Sequence, residues 1–330
     1  MSLRDLAAAG GIRVGAAVSD TVFASGDEDY RSLLAAEFNS VTAERAMKWK
    51  WIHPEPDCWE WEANDELIRF AETHQMQVRG HTVVWPHWGT PTYITKCEDA
   101  GALRRHLGDH VRELFSHWGG SVARVDVVNE PLHWLEGRHA ESVWRTLLGE
   151  DYLAEVLALA HEVDPDIELW INETHTDVIP DKHDLFTRTV ADLVERGLPL
   201  HGIGIQGHQL YPDFSPGPPD PARLHRGVST FADMGLEVAV TEMDILAHPT
   251  DADRLDVQAQ LYGELVDAAL SVEACREVTF WGVSDAHSWV DQHFGPDRAP
   301  LLFDREGNPK LAYDAVAAAF ASRARRTTAV

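Results

Sequence analysis

Two glutamates stand where apolar runs end. Glu130 closes "VDVVNE" (125 to 130) and Glu242 lies in "EVAVTEMD" (237 to 244), so each directly follows a stretch suited to a buried strand. Two carboxyl groups brought to one place could break a glycosidic bond by double displacement. One, kept protonated, gives its proton to the leaving oxygen, while the other stays ionised and attacks the anomeric carbon. Retention of configuration asks for a separation of about 5 to 5.5 Å. Sequence spacing alone fits equally well with two unrelated acids making local salt bridges.

Delivering both residues to one point requires a scaffold. Strands are expected near 13 to 18, 39 to 43, 77 to 85, 122 to 130, 168 to 173, 202 to 208, 237 to 244 and 277 to 283. Helical periodicity lies between them, as in "YLAEVLALAHEV" from Tyr152 and "DVQAQLYGELVDAAL" from Asp256, and "AYDAVAAAFASRA" follows the last strand. Eight strand and helix units over 330 residues predict an α/β fold, a single (β/α)8 TIM barrel spanning 1–330. No composition shift divides the chain. Its densest Pro and Gly stretch, "YPDFSPGPPDP" (211 to 221), falls in the loop after the sixth strand, and "RARRTTAV" at the C-terminus reads as a fraying basic tail.

In such a barrel the C-terminal strand ends converge on one face. Those ends carry Thr42, Glu44 and Lys48, then His81 and Trp85, Asn129 and Glu130, Asn172 and Glu173, Gln206 and His208, Glu242 and Asp244, and finally Trp281 and Asp285. Carboxylates, amides, imidazoles and indoles facing one cavity suit a sugar, whose hydroxyl edges take polar contacts and whose flatter faces take aromatic rings. Trp85, Trp281 and Trp289 are placed to serve, whereas Trp118, Trp144 and Trp170 are expected in the core.

Lys and Arg total 28 against 54 Asp and Glu, a formal net charge of −26, which disfavours nucleic acid and anionic membrane surfaces as partners. No run approaches the roughly 20 apolar residues of a membrane span. Cys58, Cys97 and Cys275 are odd in number and far apart, and are expected as reduced thiols packed among apolar residues. His106 and His110 stand four apart on a predicted helix, but no H-E-x-x-H accompanies them, so they are expected to be solvated and no metal is expected. No Gly-rich phosphate loop appears, and no organic cofactor is expected. A cytoplasmic protein is expected; a chain trimmed of an export signal would read the same.

Seven stretches resemble, in order, glycoside hydrolase family 10, the family of retaining endo-β-1,4-xylanases. They are "FNSVTAERAMKW" (38 to 49), "GHTVVW" (80 to 85), "VDVVNE" (125 to 130), "GIGIQGH" (202 to 208), "VTEMD" (240 to 244), "FWGVSDAHSW" (280 to 289) and "LLFDREGNPKLAY" (301 to 313). The resemblance implies Glu130 as general acid/base and Glu242 as nucleophile, with Asn129 on the sugar 2-hydroxyl. It further implies that His208 contacts the nucleophile, that Asp244 orients His208, and that Gln206 lines the same region. His81 and Lys48 would bind the sugar at the cleavage position, Glu44 the next ring outward, and Trp85, Trp281 and Trp289 would form aromatic walls. The implied partner is a β-linked oligosaccharide or glycoside, and the implied reaction is hydrolysis of β-1,4-xylosidic bonds in xylan or xylooligosaccharides.

The chain also departs from the family. Arg45 stands where an asparagine usually binds the second sugar, Pro86, His87 and Trp88 replace the usual His-Ser-Gln, whose glutamine also touches that second sugar, and Glu173, Thr174 and His175 replace Asp, Tyr and Asn. The lost tyrosine usually lines the leaving-group side. These changes read either as neutral variation or as altered specificity toward short, decorated or non-xylan β-glycosides, with Arg45 meeting an acidic substituent. A rival of another class is a carbohydrate-binding protein that has lost catalysis, which retention of both glutamates disfavours.

Overall fold

The computed structural model describes residues 1–247, 253–295 and 297–328. Eight parallel strands alternate with helices: β1 (Arg13–Val18), β2 (Ser40–Ala43), β3 (Gln77–Val84), β4 (Arg124–Asn129), β5 (Glu168–Glu173), β6 (Gly202–Ile205), β7 (Glu237–Ile245) and β8 (Cys275–Phe280). Each pairs with the next, and β8 pairs with β1, so the sheet closes into the expected barrel. Strands buried on both faces tend to be apolar, and β1 reads that way after Arg13, whereas β4 and β7 set buried charges such as Asp126 and Glu242 among their valines. The sixth strand stops sooner than expected. The chain breaks at Gln206 and at Gly207, whose φ of 79° is left-handed, and then resumes as a two-residue pairing of His208–Gln209 with the end of β7.

Register shifts interrupt β3 between His81 and Val84, β4 between Asp126 and Val128, and β7 between Val240 and Met243. Irregularities of this kind re-aim side chains. All three fall next to residues that the sequence places in the site.

The lower interior is charged. Arg79 donates to both oxygens of Asp126 at 3.1 and 2.5 Å, while Arg13 and Arg124 converge on Glu277 at 3.1 and 2.9 Å. Burial pushes the Asp126 carboxyl up, yet the Arg79 guanidinium and the His81 hydrogen bond outweigh it and leave it below its ordinary range. Trp170 lies under this layer, with the Arg79 guanidinium 4.6 Å from its ring centre. Trp118, Trp144 and Trp170 are all buried, as expected.

Outside, helices bury one face each. The helix Ala100–Trp118 is capped by Asp99, whose side chain accepts from the Ala102 N–H, and it ends at Gly119 in the left-handed conformation. It buries Leu103, Leu107, Val111 and Leu114. His110 lies on this same face, fully buried and 3.1 Å from the Nδ1 of His53, which corrects the expectation of a solvated histidine. The basic C-terminal segment also differs from expectation. Its residues 323 to 328 belong to the helix Leu311–Thr328, with Arg323 donating to the Leu270 carbonyl and Arg326 to Asp267, and its last two lie outside the described residues.

All three cysteines are free, with Cys275 buried and Cys58 and Cys97 half-buried. Among the described residues no helix is long and apolar enough to cross a membrane, and no group of three or more His, Cys, Asp or Glu could hold a metal ion.

Candidate active site

A cavity of about 550 Å³ opens at the C-terminal ends of the strands. Glu130 and Glu242 both line it, together with Glu44, Lys48, His81, Trp85, Asn129, Gln206, His208, Trp281 and Trp289, so the structure gathers these expected residues in one place. Asp244 lies behind, fully buried.

Glu242 leaves β7 among strong donors. His208 Nε2 is 3.3 Å from one carboxylate oxygen, and Asn172 Nδ2 donates to the other at 2.6 Å. His208 Nδ1 meets Asp244 at 2.7 Å, and the second Asp244 oxygen accepts from the Trp289 indole at 2.8 Å. Burial alone would lower the His208 ring, but the Asp244 charge and the bonds to both carboxylates raise it to about 10, so it is an imidazolium near neutral pH. Burial would raise Glu242. The His208 hydrogen bond and the positive field of His81, His208 and Lys48 overcome this and hold the carboxyl below the ordinary glutamate range.

Glu130 meets only neutral donors. Its oxygens accept from the Trp85 indole at 2.8 Å and from the Gln206 amide at 2.9 Å. Its backbone has φ of 52°, which a side-chain-bearing residue adopts only where its surroundings over-determine it. The backbone N–H of Glu130 donates to the Asn172 carbonyl at 2.8 Å, and the next loop is tied by the Leu132 N–H to Glu173 at 3.0 Å.

Asn172 connects the two halves. Its Nδ2 reaches Asn129 Oδ1 at 2.9 Å as well as Glu242, and its Oδ1 accepts from Thr241 at 2.6 Å. Gly204 makes room for it, because a Cβ there would lie 2.2 Å from Asn172 Oδ1. Asn129 Oδ1 also accepts from Gln206 at 3.3 Å. With its carbonyl so engaged, the Asn129 amide NH2 is left to donate into the cavity.

His81 is oriented in the same manner. The Asp126 carboxylate can only accept, so His81 Nδ1, 2.9 Å away, carries the hydrogen of that bond. Its buried Nε2 has no protein partner and lies 3.9 Å from Glu242. Lys48 Nζ sits 4.5 Å from the centre of the Trp85 ring and 5.5 Å from that of Trp281. Burial depresses the Lys48 ammonium, against the opposing pull of Glu242, Glu44 and Glu130.

Of the residues expected to alter specificity, Arg45, Trp88 and Thr174 line the cavity. His87 and His175 are not among its lining residues. His87 Nε2 bonds the Leu132 carbonyl at 2.9 Å, and His175 is buried with Nδ1 3.1 Å from the Trp134 carbonyl. Glu173 turns away into a buried pair with Lys182 at 2.9 Å, and burial raises its carboxyl to about 7 despite that partner. Sequence reasoning missed Trp51, Trp134, Phe214, Gln292 and His293, which also line the cavity. Trp134 and Phe214 lie in irregular loops, and Trp51, Gln292 and His293 in helices of four and six residues, too short to show a period. Asn172 was visible at a strand end, and its neighbours in the barrel are what give it a task.

Two carboxyl groups on one sugar-sized, aromatic-walled cavity, one beside an imidazolium and the other among neutral donors, form the centre of a glycoside hydrolase. The comparisons agree: the chain belongs to glycosyl hydrolase family 10, whose model matches residues 2–319 and whose members retain configuration. A β-1,4-xylanase of Dictyoglomus thermophilum is 38% identical over 301 residues, covering 86% of this chain and 82% of that protein. The native xylanase 10B of Thermotoga maritima superposes with a TM-score of 0.91 at 33% identity, covering 99% of this chain and all of that one. Xylanase 10B of Thermotoga petrophila, solved in complex with xylobiose, gives 0.91 at 34% identity over 98% of each chain.

Proposed function

We propose that the chain hydrolyses β-1,4-xylosidic bonds in xylan or xylooligosaccharides by double displacement, with Glu242 as nucleophile and Glu130 as general acid/base. The observation that carries the assignment is the asymmetry of the two carboxyls. Cationic neighbours favour the ionised form of Glu242, while Glu130 accepts hydrogen bonds only from a neutral indole and a neutral amide. The solved relative with bound xylobiose supports the substrate class.

In the first step Glu130 gives its proton to the glycosidic oxygen as a Glu242 oxygen bonds to the anomeric carbon and the C–O bond to the leaving sugar breaks. In the second, Glu130 takes a proton from water, whose oxygen displaces Glu242. The free amide of Asn129 suits the sugar 2-hydroxyl, and His81 Nε2 and Lys48 suit neighbouring hydroxyls. Proton NMR of the first-formed product tests the stereochemistry: the β-anomer is expected, and the α-anomer would overturn the scheme.

Arg45 supports a finer reading. It is 40% exposed in its side chain and only loosely paired with Asp20 at 3.5 Å, which leaves the guanidinium able to meet an acidic substituent, such as a uronic acid, on the second glycone sugar. Arg45→Asn should lose preference for acid-decorated over plain oligosaccharides; an unchanged ratio of kcat/KM values would remove this role. A cytoplasmic location, for which the three free thiols are the support, is tested by cell fractionation; recovery outside the cytoplasm would overturn it.

A further inference from the structure

The cavity is not equally open at its two ends. Ring contacts run without a break from Trp85 to Trp88 at 5.6 Å between centres, to Trp134 at 6.5 Å, to Phe214 at 5.5 Å and to Trp289 at 5.9 Å. Four loops contribute, those after β3, β4, β6 and β8. A sugar ring needs about 3.5–4 Å to the atoms on each side of it, so rings spaced this closely leave no passage between them.

The wall is braced from behind. The Trp134 carbonyl faces His175 Nδ1 at 3.1 Å and accepts from the buried Lys182 at 3.2 Å. Phe214 rests on the His175 ring at 5.2 Å and packs on the small apolar cluster of Leu210, Leu246 and Val290. These contacts fix the rings as part of the fold.

The opposite end continues outward. Arg45 and Trp51 line both the catalytic cavity and a second hollow, formed with Asp20 and Glu60, that lies beyond it. The cleft thus continues outward on the side of Arg45, and the linked rings stand on the side of Thr174. Thr174 lines the cavity there, with its Oγ1 3.2 Å from His175 Nδ1.

We infer that the Trp134 and Phe214 wall limits the leaving-group side to a single ring, so that this chain cuts xylooligosaccharides one residue from the reducing end. The inference rests on the reaction proposed above, which puts the glycone toward Arg45 and the leaving sugar toward Thr174. It departs from internal cutting, in which a groove must let the polymer run out at both ends. It also gives the departure at Thr174 a consequence: aromatic surface supplied from the fourth and sixth loops stands on the side where the resemblance implies a tyrosine of the fifth.

Xylotetraose and xylohexaose carrying 13C in the reducing-end ring test this by mass spectrometry of early products. Labelled xylose should exceed labelled xylobiose by about tenfold or more; labelled xylobiose or xylotriose as the main product would overturn the inference. Trp134→Ala and Phe214→Ala, made separately so that one unstable variant does not decide the matter, should each shift this ratio about tenfold toward longer labelled fragments. An unshifted ratio in a folded variant would also overturn it. 4-Nitrophenyl β-xylobioside, whose leaving group is one flat ring, separates the two levels. Its turnover with internal cutting of the oligosaccharides sinks the wall alone, whereas no turnover of either substrate sinks the reaction and the wall together.

Discussion

The barrel interior holds two charged layers, and they differ in what is left unpaired. In the lower layer Arg79, Arg124, Asp126 and Glu277 meet one another at salt-bridge distance and are nearly excluded from solvent. In the upper layer Asn172 links Glu242 to Asn129, Gln206 links Asn129 to Glu130, and Asp126 holds His81, yet the Asn129 amide and His81 Nε2 keep hydrogen-bonding capacity that faces the cavity. Buried polar groups are normally satisfied. Where opposite charges pair off they shape the fold, and where a polar atom faces the cavity a substrate can complete the set. Asp126 belongs to both layers, since it grips Arg79 below and orients His81 above.

Loss of the reacting group of the upper layer should have the largest effect. Glu242→Ala should lower kcat on xylooligosaccharides by on the order of 10⁴-fold or more while leaving denaturant stability little changed; residual turnover within tenfold of the parent would refute the nucleophile. The lower layer should answer in the opposite sense. Asp126→Ala strands the buried Arg79 guanidinium and should cost about 3–5 kcal/mol in urea unfolding. It should also weaken substrate binding through the unanchored His81. A loss under about 1 kcal/mol would mean that the lower layer is not held as a pair.

A smaller effect sharpens the division of labour inside the upper layer. His208→Asn removes the imidazolium that keeps Glu242 ionised, so burial, which raises the carboxyl, gains ground. The acid limb of kcat/KM should move to higher pH, while the alkaline limb, which reports proton loss from Glu130, should stay. Movement of both limbs together would show that the two carboxyls titrate as one unit.

The same contrast explains what could be read before the structure. The strands and the two glutamates were legible because buried parallel strands are written as apolar runs, and a charged residue directly after such a run stands out. The lower charged layer was not, since Arg79, Arg124 and Glu277 sit inside strands whose partners are far apart in sequence. Trp134 and Phe214 were invisible for another reason: they lie in irregular loops, and their meeting depends on how those loops fold over His175. His110 was misjudged although its signal was present. It falls seven residues after Leu103 and four before Leu114, on the apolar face of its own helix.

That histidine supplies the gentlest test, since it makes a closed polar pair outside the barrel altogether. The Pro56 carbonyl can only accept, so His53 Nε2, 3.1 Å away, carries a hydrogen. Neutral His53 then accepts at Nδ1, and His110 Nδ1 must donate to it, which leaves His110 Nε2 buried and without a partner. Both rings are sandwiched among Trp49 and Trp59 at centroid distances of 3.8 and 4.0 Å. Burial, and for His110 the neighbouring His53, pushes both below the ordinary histidine value, His110 well below it. The unfolded chain takes up protons below about pH 6.5 that the folded chain refuses. Stability from the pair is therefore complete above that pH and falls as the pH drops, by at most about 1.4 kcal/mol per unit for each ring. His110→Phe keeps the stack on Trp49 and removes one titrating group. Urea unfolding between pH 7 and 5.5 should show a shallower loss than in the parent, and an equal slope in the two proteins would show that the folded chain protonates His110 as readily as the unfolded one.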